Sequence, residues 1–98
     1  MAIIVKDSET IGLSEFSDKH NFDIVVKRSK GLPNVWIASS SNVFICEGFA
    51  LATVHGRGDT PDLALYDYAN NISCLTLEIH GGRVEAPTIT HEPNSTNP

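Results

Sequence analysis

Residues 48–83 read GFALATVHGRGDTPDLALYDYANNISCLTLEIHGGR, and the order of patterns along this stretch decides the fold. An apolar strand ends in His55-Gly56-Arg57-Gly58. A helix follows: Asp59 or Thr60 suits its N-cap, and Pro61 fits its first position, where a missing N–H costs nothing. Leu65, Tyr68, Ala69 and Ile72 then fall at i, i+3, i+4 and i+7, a complete apolar stripe for one helix face. Leu75, Leu77 and Ile79 alternate with polar residues as a second strand, which ends in His80-Gly81-Gly82-Arg83. Strand, helix, strand is a crossover unit. If its two strands run parallel, both His-Gly endings come to the same edge of the sheet, beside the helix start.

Upstream, Leu13, Phe16 and His20 share one helical face and predict a short helix. Phe22, Ile24 and Val26 alternate with Asp23, Val25 and Lys27, a strand that ends at Arg28. Lys30 to Asn34, with Gly31 and Pro33 inside, is a turn. Val35 to Ser39 and Val43 to Glu47 read as two strands joined by a hairpin connection at Ser39-Ser40-Ser41-Asn42. The second is expected to continue to His55 through a kink at Gly48. Ala2 to Lys6 forms an opening strand, and Val84 to Thr90 an edge strand interrupted by Pro87. The sum is an α+β fold: a small antiparallel sheet of four to five strands packed by one main helix, with a β-β-β-α-β core. Residues 1–90 make a single domain, and 91–98 a disordered tail too polar to bury surface.

The formal charge of −5 on 98 residues argues against general nucleic-acid binding, which needs a basic face. With 41% hydrophobic and 19% charged residues, a folded globule is favoured. No stretch approaches the roughly 20 apolar residues that span a bilayer, and Met1 to Asp7 lacks the basic start of a signal peptide. The expectation is a cytoplasmic protein with no membrane partner. Cys46 and Cys74 are then expected as small buried apolar groups.

Chemistry concentrates at the two glycine-rich endings. His55, Arg57, His80 and Arg83 could surround an anion such as a nucleotide phosphate, with Thr60 and the free N–H groups of the helix start completing the site. Glycines 56, 58, 81 and 82 would allow close backbone approach. His55, His80 and Glu78 also make a metal-ligand set on paper. The plainest alternative is a pair of turns with solvated side chains. No cofactor motif is present, and no enzyme motif: a general acid or base needs a paired, oriented group, and none is legible. A second surface lies on the helix back, where Leu63 and Tyr66 stand opposite the apolar stripe beside Asp67 and Asn70, as a protein-binding patch would, or as a face packed by the chain's own N-terminal segment would. An uncovered sheet edge predicts self-association into a homo-oligomer.

Gly58-Asp59-Thr60-Pro61-Asp62-Leu63-Ala64-Leu65-Tyr66-Asp67-Tyr68-Ala69, set after a strand, resembles the strand-to-helix corner of HicB-type antitoxins. The chain is also similar in character to small phage-encoded proteins. The resemblance implies a β-β-β-α-β module that sequesters a partner protein, in the host cytoplasm if phage-encoded. The leading expectation is therefore a non-enzymatic binding or inhibitory protein. The alternative is a nucleotide- or phosphate-sequestering protein built on the His55/Arg57/His80/Arg83 edge.

Overall fold

The computed structural model describes residues 10–31 and 34–92. The expected opening strand at Ala2–Lys6, part of the turn at Lys30–Asn34 and the tail beyond Glu92 lie outside them. The described residues form, in order, β1 (Thr10–Gly12), α1 (Leu13–His20), β2 (Val25–Arg28), β3 (Trp36–Glu47), β4 (Ala50–Gly58), α2 (Pro61–Ile72), β5 (Thr76–Ile79), β6 (Gly82–Glu85) and β7 (Thr88–Thr90). The fold is α+β, with the main helix packed on one face of a five-stranded antiparallel sheet.

The 12-residue β3 is the spine of the sheet. β4 pairs with its whole length on one edge; β2 takes Trp36–Ser39 and β5 takes Val43–Ile45 on the other. β6 then hydrogen-bonds to β5. The expected hairpin at Ser39–Asn42 is not formed, because β3 runs straight through it. Residues 40–43 instead bulge out between the Ser39–His55 and Phe44–Thr53 pairs, where β4 has only Val54. An odd number of extra residues inverts the side-chain alternation. Trp36 and Ala38 face the helix before the bulge, Val43 at its last position and Ile45 after it. The true hairpin turn is Gly48-Phe49, joining the Glu47–Ala50 pair, so the expected kinked continuation through Gly48 is also corrected. Gly48 has φ +62°, a conformation that favours glycine and suits a two-residue hairpin loop.

The predicted helix is well matched. Thr60 is its N-cap, its Oγ1 accepting the Leu63 N–H at 3.1 Å, and Pro61 opens the first turn. Ala64, Tyr68, Ala69 and Ile72 are buried, and Leu65 packs against the core they share with Val43, Val54, Leu77 and Ile79. The short helix α1 adds Leu13 and Phe16, and Phe16 meets Phe22 edge-on at 5.9 Å between centroids. After Ala86 and Pro87 the chain leaves the sheet, and β7 pairs in parallel with β1 rather than continuing β6 as one edge strand.

Candidate functional site

β4 and β5 are both antiparallel to β3, so they run parallel to each other, as the crossover reading requires. They are not neighbours, however, since β3 lies between them. Their ends are also offset: His55 stands opposite Ser39, whereas β5 ends with Ile79 opposite Val43. The two His-Gly endings therefore do not converge.

Each expected ligand residue has its own surroundings. Val54 and Gly56 are buried towards α2, which turns His55 and Arg57 to the opposite face. No helix of the described residues covers that face. There the register sets Lys27, Ile37 and Arg57 in one row across β2, β3 and β4, with Val25, Ser39 and His55 in the next. Lys27 and Arg57 are thus about 10 Å apart at their Cα atoms, by strand spacing. Among the described residues, no carboxylate lies within ion-pair distance of either. Arg83 sits opposite Glu78 on β6, three strands away from β4. His80 has φ +52°, which breaks the strand alternation, and its Nε2 lies 2.6 Å from the Asn21 carbonyl oxygen at the end of α1. A carbonyl only accepts, so this bond fixes the Nε2–H tautomer. Thr60 spends its hydroxyl oxygen on the helix cap. The structure thus joins His55 and Arg57, adds Lys27 to them, and separates Thr60, His80 and Arg83.

The glycines have a different use from the one expected. A Cβ on Gly56 would come within 2.3 Å of the Ala64 carbonyl oxygen and the Tyr68 nitrogen; one on Gly58 would come within 2.5 Å of Leu63 and Ala64 backbone atoms. These two glycines let α2 lie directly on β4, so they face the helix and not a ligand. A small cavity of about 150 Å³ does open beside Arg57, lined by Val35, Gly58 and Asp59. Common ligand pockets are about 300 Å³ or larger. A larger hollow of about 260 Å³ lies elsewhere, between α1, β2 and α2. Its floor includes Leu13, Phe22 and Leu65, and Asp18, Asp23 and His91 also line it. His91, for which the sequence offers no partner, pairs with Asp62 at 3.2 Å.

On the helix back, Leu63 and Tyr66 are 37% and 45% exposed, and Asn70 is exposed beside them. Asp67 is engaged elsewhere: its Oδ2 accepts the Arg57 backbone N–H at 2.9 Å and the Asn71 side-chain amide at 3.3 Å. That amide also donates to the His55 carbonyl at 2.7 Å. Asp67 and Asn71, one helical turn apart, therefore cover the outer edge of β4 at its far end. No local pattern signals this contact, since a helix-to-edge bond depends on how the helix sits.

Among the described residues, no group of three or more His, Cys, Asp or Glu gathers to hold a metal, and His55, His80 and Glu78 do not assemble. Both cysteines are free; Cys46 is half-buried and Cys74 exposed, so the expected burial of Cys74 is corrected. Cys74 has φ +60° in the turn after α2 and lies 3.5 Å from the Thr88 hydroxyl. Beneath the β3 bulge, the Tyr68 hydroxyl and Ser40 Oγ are buried without a well-formed hydrogen bond among the described residues. Burial pushes the Tyr68 hydroxyl up to about 12, and the nearby Ser40 offsets a part of this. No helix of the described residues is long and apolar enough to cross a membrane. No protein-family model, curated protein or solved structure is significantly similar to the chain.

Proposed function

We propose that this chain is a non-enzymatic binding protein that captures and inhibits a partner protein in the cytoplasm, in the manner of an antitoxin or a phage-encoded inhibitor. The observation that carries this reading is the apolar pair on the outside of α2. Every other large apolar residue of the helix is turned into the core, while Leu63 and Tyr66 stand in solvent on adjacent turns. Tyrosine is a frequent interface anchor because its ring buries area and its hydroxyl stays polar. Changing Leu63→Asp together with Tyr66→Ala leaves the buried stripe untouched, so the fold is retained and capture of the partner is lost. Pull-down from host lysate, with circular dichroism as the folding control, tests this. Undiminished capture by the folded double variant rejects the patch.

The second reading is an anion site, and it is favoured by the Lys27–Ile37–Arg57 row, whose two cations have no ion pair among the described residues. It takes phosphate or a nucleotide between two cations rather than among four endings. Under this reading phosphate-bearing ligands raise Tm, Arg57→Ala removes the shift, and Arg83→Ala keeps it. A thermal-shift series with inorganic phosphate and mononucleotides separates the two readings.

A further inference from the structure

We infer that the uncovered start of β4 pairs antiparallel with the same stretch of a second copy, around a twofold axis at Ala52. This surface is distinct from the α2 patch and does not depend on it. Among the described residues, β4 has a sheet neighbour on one edge only. On its other edge, the groups that point outward belong to residues 51, 53, 55 and 57, as the bonds at the His55 carbonyl and Arg57 N–H show. Asp67 and Asn71 occupy those two groups. Among the described residues, nothing bonds the outward N–H and C=O of Leu51 and Thr53.

The free stretch is short, and its length chooses the occupant and the register. The Gly48-Phe49 turn bounds it on one side, and the Asp67/Asn71 cover on the other. An antiparallel partner centred on Ala52 sets Leu51 opposite Thr53 of the second copy, and Thr53 opposite its Leu51. All four free backbone groups of each chain are then used, and Phe49 of the turn falls opposite His55 of the second copy, where Asn71 begins its cover. Side chains agree with this. Phe49 is fully exposed and Leu51 is 49% exposed, and the pairing brings both against the second copy. No charged residue stands between Glu47 and His55, so two chains of net charge −5 meet on an uncharged strip.

Sedimentation of two variants and cross-linking of two more test the inference on the full chain. The wild type should sediment at twice its 10.6 kDa chain mass at high micromolar concentration and dissociate on dilution. Thr53→Pro removes an outward N–H that the chain itself does not use, and an edge strand tolerates proline there; this variant should be monomeric and folded. Leu51→Lys leaves the backbone intact and sets a charge in the contact, so it should weaken the dimer at least tenfold. Register is read by cross-linking in a Cys46→Ser, Cys74→Ser background. Ala52 would face its own copy as a non-hydrogen-bonded pair, where Cα atoms lie about 4.5 Å apart and a disulfide can close. Oxidation should therefore link Ala52→Cys far faster than Thr53→Cys. A wild type that stays monomeric, a dimer unweakened by Leu51→Lys, or faster linking at Thr53→Cys overturns the inference.

Discussion

The two halves of β4 teach opposite lessons although they belong to one nine-residue strand. From His55 to Gly58 the strand is sealed: α2 rests on Gly56 and Gly58, and Asp67 and Asn71 bond its outer edge. From Ala50 to Thr53 it has β3 on one side and, among the described residues, no partner on the other. The sealed half has glycine at both positions that face α2, because the helix comes close there. The second carries Leu51 next to an exposed Phe49, on an edge that a soluble protein usually protects with charge, proline or cover. Structure is built at one end of the strand, and surface is offered at the other.

The comparison breaks most sharply at Gly56. Gly56→Ala forces a Cβ into α2 backbone that has no flexible end to move, so stability should fall by about 3 kcal/mol or the chain should fail to fold. Leu51→Ala, in the bare half, should change the monomer's stability by about 0.5 kcal/mol or less. Urea unfolding at low protein concentration measures both. Equal losses would mean that α2 does not rest on the sealed half.

The buried Tyr68 hydroxyl sharpens the same contrast in alkali. Its folded pKa of about 12 lies above the ordinary value of 10, so below pH 10 it is neutral in both states and its contribution is complete. Between the two values the unfolded chain releases a proton that the folded chain keeps. Stability should therefore fall by about 1.4 kcal/mol per pH unit in that window. Urea unfolding across this range should show the fall in the wild type and lack it in Tyr68→Phe.

The helix, its cap and its buried stripe were legible because each is a local pattern: Thr60-Pro61 marks the start, and the spacing of Tyr68, Ala69 and Ile72 marks the face. The alternation of Leu77 and Ile79 was legible too, though Leu75, expected with them, is exposed and precedes β5. β3 was misread because its bulge is written in turn residues. Ser39-Ser40-Ser41-Asn42 breaks the alternation as a hairpin would, and only pairing partners on both edges show that the strand goes on. The ligand edge failed for a different reason. Whether two parallel strands are adjacent or separated by a third is set by long-range pairing, and β3 came between them. The Lys27–Arg57 row was hidden by the same fact, since its residues are 30 positions apart in the chain and meet only through register.

A smaller effect is expected at the cover itself. Asp67→Ala removes the acceptor for the Arg57 N–H from a partly exposed site and should cost about 1 kcal/mol in urea unfolding. It should also raise amide exchange at Arg57 without altering Leu51 or Thr53.

Amide hydrogen exchange on the wild type, followed from dilute to concentrated protein, tests the division of β4 most directly. The Arg57 amide should be protected at every concentration, because its acceptor is in the same chain. The Leu51 and Thr53 amides should exchange freely in dilute protein and become protected as concentration rises. Leu51 and Thr53 protected in the dilute monomer, or Arg57 exchanging as fast as they do, would contradict the account.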